Sequence, residues 1–212
     1  LAVDTYQPAV FEQLVGDLAE VIIGSIQNLK PARFGHASGR EGHDVPGQND
    51  RSLNGFRRSR SPWTADQVMA QNTMRRRLGV LRVDALDGTP IAAIFNYAAH
   101  GIIFDVENLY FSGDVLGAAE RVLEVDIGSR FAASGGADFV AMGIQGAGGD
   151  VTPSRRLPGE ESRAKLQQIE RWGQLLAPQA RAVYDSISVF EAAPDLRTVS
   201  QRVILSRKTL GY

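Results

Sequence analysis

The chain contains no cysteine. Disulfides and thiolate metal sites are therefore excluded, while the compartment is left open. Histidine is also scarce: His36, His43 and His100 are the only three, and no HxH or HExxH spacing occurs. A catalytic zinc site needs at least three protein ligands, so such a site would have to add carboxylates or residues from elsewhere to these histidines. No apolar run approaches the roughly 20 residues of a membrane-spanning helix. Excess charge of either sign is missing too. With a net charge of −1, composition gives no pull toward nucleic acid or an anionic membrane. Arginine is dense at Arg57-Arg58-Ser59-Arg60 and Arg75-Arg76-Arg77. Without aromatic interleaving, these runs read as solvated surface or a substrate-facing loop.

What remains is an ordinary globular composition, 43% apolar and 22% charged. Its 212 residues are enough for a good-sized core. The first residue is Leu1. The expectation is either a removed signal peptide or a start partway through a larger protein.

Hydrophobic spacing predicts an α/β fold, a mixed β-sheet core with flanking helices. Val10, Phe11, Leu14, Leu18, Val21, Ile22, Ile26 and Leu29 recur at helical spacing over residues 7–29, with Pro8 suited to the first turn. Residues 33–37 read as a short strand, and residues 38–65 as irregular chain of a length that is often functional. Residues 79–86 alternate as a half-buried strand. Asp87-Gly88 reads as a two-residue hairpin turn, and residues 91–99 as a mostly apolar central strand ending at His100-Gly101. Asp114 is placed to cap a helix from Val115 to about Glu124. A strand is expected over 138–145, a long helix over 159–186 kinked at Pro178, and a last strand over 196–206. Trp63 and Trp172 read as packing residues.

Chemistry-bearing residues fall at the ends of the apolar strands, where mixed sheets usually place ligands. The segment Ile144-Gln145-Gly146-Ala147-Gly148-Gly149-Asp150-Val151-Thr152-Pro153 follows a short apolar run, Phe139-Val140-Ala141-Met142, that reads as a buried strand. Glycines there let the backbone turn sharply and align N–H groups, with a hydroxyl just beyond. Such a turn builds a nucleophile with oxyanion donors, or else is only a tight structural turn. His100 can bind zinc or act as a base, or can simply be a hydrogen-bonded histidine at a strand end. Asp150 reads as a turn carboxylate and Arg51 as a surface arginine, while His36 and His43 read as surface residues.

In order, these pieces resemble the N-terminal catalytic domain of the neutral/alkaline, non-lysosomal ceramidases. Asp50-Arg51-Ser52 with Phe56 resembles the family's Asn-Arg-Ser motif. The block from Leu81-Arg82-Val83-Asp84 to Asn96-Tyr97-Ala98-Ala99-His100 is similar to its strand pair ending in a zinc histidine. Ser112-Gly113-Asp114-Val115-Leu116-Gly117 is similar to its Ser-Gly-Asp helix, and Gly149-Asp150-Val151-Thr152-Pro153 to its Gly-Asp-Val-Ser-Pro. The resemblance spans nearly the whole chain. It implies a zinc-dependent hydrolase of N-acyl amides, ceramide in the type members. His100 would be a metal ligand, Thr152 would stand at the nucleophile position with Asp150 beside it, and Arg51, Gly148 and Gly149 would bind substrate. It also implies Zn2+ as cofactor, a lipid amide or related small molecule as substrate, and a secreted, periplasmic or cell-surface location.

Several features depart from the family. Threonine replaces the nucleophilic serine, which keeps the hydroxyl but stiffens χ1. Ile102 stands where relatives often carry threonine. The upstream His-Thr-His segment and the downstream Glu and Tyr ligands are not in these residues. Residues 1–212 are therefore expected to be part of one ceramidase-like catalytic domain, with the rest of the polypeptide as its partner. Two alternatives stay open: a metal-dependent hydrolase of a sugar- or peptidoglycan-linked amide or ester, and a non-catalytic lipid- or carbohydrate-binding relative.

Overall fold

A computed structural model describes residues 7–40, 54–56, 77–104, 112–134, 138–148, 151–153, 165–195 and 197–204. Among these, helix α1 (Pro8–Gln27) precedes strands β1 (Ala32–Arg40), β2 (Asn54–Phe56), β3 (Arg77–Ala85) and β4 (Pro90–Tyr97). Helix α2 (Asp114–Phe131), strands β5 (Val140–Gln145) and β6 (Val151–Pro153), and helix α3 (Lys165–Ser186) follow. The main sheet has the order β1-β3-β4-β5. Its first two pairings are antiparallel and β4–β5 is parallel. The expected mixed α/β architecture is what the chain adopts. No described helix is long and apolar enough to cross a membrane.

The parallel pair sets the layering, because parallel neighbours need a crossover rather than a hairpin. Here the crossover is α2, which packs against β4 and β5, while α3 packs on α2 and over β1 and β3. Alternate residues of the strands face these helices. Leu78, Val80, Ala93, Phe95, Tyr97 and Ala141 are buried there with Leu123, Ile127, Trp172 and Leu176. The two helices cross at Gly173. A Cβ there would lie 2.7 Å from the Ala118 backbone carbonyl, so only glycine permits the approach. Arg181 fastens the crossing, donating to Asp126 of α2 and to Asp185 one turn further along its own helix. The opposite parity of the sheet leaves Phe34, Val140, Met142 and Ile144 exposed, as are the apolar residues of α1.

A charged cluster lies within the sheet–helix layer. Asp84 is fully buried and accepts from Arg82 Nε at 2.9 Å and from Arg33 at 3.5 Å. The Arg82 guanidinium lies 4.4 Å from the Tyr184 ring centroid and 5.2 Å from that of Phe190. Burial of the ions is thus offset by pairing and by aromatic faces.

Three sequence expectations are corrected. The hairpin loop has three residues, not two: Ala85 N–H donates to Thr89 O, and Gly88 N–H donates to Ala85 O. Gly88 takes φ +93°, the left-handed position of a glycine bulge, so Asp87-Gly88 is the end of the turn rather than its whole. Helix α2 runs to Phe131 rather than to about Glu124. Residues 197–204 form no strand. Val199, Val203 and Ile204 are β-branched but exposed, and no strand among the described residues pairs with them. Pro178 sits within one continuous α3, on its exposed side. Trp172 is buried as expected. His36 lies exposed on β1. The arginine runs at 57–60 and 75–76, Trp63, His43 and residues 159–164 of the expected long helix lie outside the described residues.

The Tyr184 hydroxyl is buried with no hydrogen-bond partner among the described residues. Burial pushes its pKa up to about 12, against the opposing pull of Arg82. Stability from this group is therefore complete below pH 10, where the unfolded phenol is neutral, and is lost as pH rises from 10 to 12. Tyr184→Phe removes the unpaired hydroxyl and should stabilise the fold by about 1 kcal/mol at neutral pH. It should also flatten the loss of stability above pH 10. Urea denaturation of both proteins at pH 7 and 11 checks both outcomes.

Candidate active site

Two segments distant in sequence meet at the carboxyl ends of the parallel strands β4 and β5. Gly146 N–H donates to Tyr97 O at 3.0 Å, carrying the ladder one step beyond the strands. A Cβ on Gly146 would stand 3.0 Å from Ala98 N, so the glycine allows the two backbones to close together. Gly148 N–H then turns back onto Gly146 O at 2.7 Å. This aims the Gly148 carbonyl across the gap at His100, whose Nδ1 lies 2.7 Å from it.

That contact decides the tautomer. A carbonyl oxygen can only accept, so in the neutral ring Nδ1 carries the hydrogen and Nε2 keeps its lone pair. A backbone carbonyl on one ring nitrogen is the usual support of a histidine that ligates metal through the other. His100 is half-buried, with Ala98, Ala99 and Gly148 buried around it and Gly101 exposed.

The loop after His100 is held from beneath by Asp114. One carboxylate oxygen accepts from Ile103 N–H at 3.0 Å and the other from Val115 N–H at 2.8 Å. Its own N–H donates to Ser112 Oγ at 3.0 Å. Asp114 has φ +48°, a conformation that aspartate tolerates better than most residues. It serves less as a plain helix cap than as a clamp between the first turn of α2 and the histidine loop. Burial raises its pKa, while the N–H donors of Val115, Ile103 and Phe104 pull the other way. Lys165 Nζ fixes the far side of the loop by donating to Phe104 O at 3.1 Å.

Of the residues singled out from sequence, His100 and Gly148 are thus brought into contact. What Gly148 contributes is its carbonyl, since its N–H is occupied by Gly146. Thr152 lies in β6, which pairs antiparallel with β2, and its register partner is Gly55. The stretch just after Asp150 is thereby joined to the stretch just after Arg51, and the position opposite Thr152 carries no side chain. Arg51, Gly149 and Asp150 lie outside the described residues. Among the described residues, no three His, Cys, Asp or Glu side chains gather as a metal site.

The sequence assigns Gln145 no role of its own within the segment. Its amide nitrogen would lie 2.1 Å from a Cβ on Gly148 and donates to Gly146 O at 3.4 Å, so it occupies the space that glycine leaves. A polar residue closing an apolar strand is a signal for it, though a weak one.

No family model matches the chain. It is 32% identical over 106 residues to neutral ceramidase B of Dictyostelium discoideum, covering 47% of this chain and 15% of that protein. It is 24% identical over 154 residues to neutral ceramidase A of the same organism, covering 70% and 20%. Among solved structures, the neutral ceramidase of Pseudomonas aeruginosa superposes with a TM-score of 0.67 at 20% identity, over 85% of this chain and 27% of that one. A ceramidase complexed with C2 gives 0.56 at 17% identity, over 74% and 23%. The chain is therefore neutral-ceramidase-like in sequence and fold, and spans 15% and 20% of the lengths of the two Dictyostelium relatives.

Asp114→Ala should leave the buried N–H groups of Ile103 and Val115 without an acceptor and put alanine at a positive φ. The expected loss is about 3 kcal/mol. Asp114→Asn keeps one acceptor and tolerates that φ, so its loss should be about half as large. Urea midpoints of the two variants check the order. Equal losses would show that the carboxylate clamp does not hold the loop.

Proposed function

We propose that this chain forms part of the catalytic domain of a zinc-dependent hydrolase that cleaves the N-acyl amide bond of ceramide or a close lipid amide. The observation that carries the reading is the His100 Nδ1–Gly148 O bond. It joins a histidine with a bare Nε2 to the glycine turn that leads into Thr152, at the carboxyl ends of two parallel strands. The likeness to neutral ceramidases supports the substrate class.

The donor chemistry of His100 fits zinc: its Nε2 is the acceptor nitrogen and its ring is oriented by a backbone carbonyl. The described residues supply one such ligand, so the reading requires further ligands from the rest of the polypeptide. When bound, zinc supplies Lewis-acid polarisation of the scissile carbonyl. The chain's own residues do the rest. His100 holds its orientation through Gly148. The Thr152 hydroxyl attacks the amide carbon, its proton passes to the departing amine, and water then releases the fatty acid and restores the hydroxyl. Gly149 N–H is a donor for the developing oxyanion, Asp150 orders the turn by accepting neighbouring N–H groups, and Arg51 holds the polar head of the substrate.

The test is fatty-acid release from a short-chain labelled ceramide by the full-length protein. Release should depend on zinc and be abolished by a chelator. Thr152→Ala should lower it by at least about a hundredfold with zinc content unchanged. His100→Ala should lower both activity and bound zinc. Full activity in Thr152→Ala would remove the nucleophile role. No release from folded, zinc-loaded protein would point to the other amides and esters.

A further inference from the structure

Strand β5 carries the glycine turn, yet it is the edge of the four-stranded sheet formed by the described residues. Its inner side pairs with β4. On its outer side the Ala141 and Gly143 N–H groups have no strand to receive them. They are taken instead by two glutamates of α2: Glu124 Oε1 accepts from Ala141 N–H at 3.1 Å, and Glu120 Oε1 from Gly143 N–H at 2.7 Å. The spacings match. Four residues of helix advance about 6 Å, and two residues of strand about 6.6 Å. One face of α2 thus stands in for a neighbouring strand. Placing like charges at i and i+4 is unfavourable in a helix by itself, and the two N–H donors offset that cost.

Helix α2 therefore grips both walls of the candidate site. At its first residue Asp114 holds the loop that follows His100, through Ile103 N–H. Two turns later Glu120 holds Gly143, five residues before Gly148. Gly143 is also a point of close approach, where a Cβ would lie 2.9 Å from the Phe95 ring and 3.0 Å from Leu116 Cβ. From this we infer that Glu120 is a positioning residue: through Gly143 it sets where the Gly146–Gly148 turn presents its carbonyl to His100. Its bearing on catalysis rests on the function proposed above, whereas its effect on the turn does not.

The test compares Glu120→Ala, Glu120→Gln, Glu120→Asp and Glu124→Ala in the full-length protein, by amide hydrogen exchange and steady-state kinetics. Glutamine retains the accepting oxygen. Aspartate retains the charge but withdraws the oxygen by one methylene, and it serves as the disrupting variant if alanine does not fold. Exchange at residues 143–148 should rise about tenfold in Glu120→Ala and Glu120→Asp, and stay near wild type in Glu120→Gln. In Glu124→Ala the rise should be confined to residues near Ala141. In the active protein, kcat should fall with KM little changed for the alanine and aspartate variants, and recover with glutamine.

The inference is overturned if exchange at 143–148 is unchanged in the disrupting variants. It is equally overturned if exchange rises uniformly over α2, β4 and β5, which marks a general loss of stability. If ceramide is not a substrate but the exchange pattern appears, the positioning role stands and the proposed reaction fails. If ceramide is hydrolysed but the turn does not loosen, the reverse holds.

Discussion

The fold around the site depends on the parallel pairing of β4 with β5. Antiparallel neighbours can be joined by a tight hairpin, as β3 and β4 are, and their connection then occupies the end of the sheet. A parallel pair sends its chain away through a crossover helix and leaves both carboxyl ends facing the same way. Here that leaves Tyr97–Phe104 and Gln145–Gly148 side by side, with the N-terminus of α2 beneath them. The bond between His100 and Gly148 is available only because of that arrangement, since 48 residues separate the two.

Ion pairs support the arrangement at a distance from it. Two clusters of opposite charges tie the elements together: Arg33, Arg82 and Asp84 in the layer between sheet and helices, and Arg181 with the half-exposed Asp126 and Asp185 between the two helices. Removing the partners of Asp84 or of Arg181 leaves a buried charge, so each set constrains how its elements dock. Arg82 also faces Tyr184 and Phe190, which couples β3 to α3 and to the segment beyond it. The site itself is organised by backbone groups and by carboxylates of α2, Asp114 at Ile103 and Glu120 at Gly143.

Periodicity made the elements legible. Helical spacing marked α1 and α3, period-two alternation marked β3, and continuous apolar runs marked β4 and β5. Spacing also pointed to His100 and to the glycine turn as strand-end features. Four matters depended on contacts that no local pattern carries. The hairpin loop has Gly88 as a bulge because Ala85 pairs with Thr89, which a dipeptide preference does not reveal. Residues 197–204 have strand-like residues but pair with no strand among the described residues. Gly148 was legible as a flexible turn residue, whereas its use as a carbonyl acceptor followed from its N–H being spent on Gly146. Asp114 read as a cap because Ser-Gly-Asp before an apolar helix is a capping pattern, and its reach to Ile103 required the loop to be folded over it.

These contacts also bear on how a shared fold survives at low identity. The bonds that shape the site run from backbone to backbone, from carboxylate to backbone, or from the imidazole to a carbonyl. Each asks for a chain path and for very few side-chain identities: glycine where backbones close together at 146, a small residue where α2 meets β5 at 143, an acceptor at 114, and an imidazole at 100. Most other positions need only keep apolar character or volume on the correct parity of a strand or stripe of a helix. A chain under such constraints can drift far in sequence while the two strand ends stay in register.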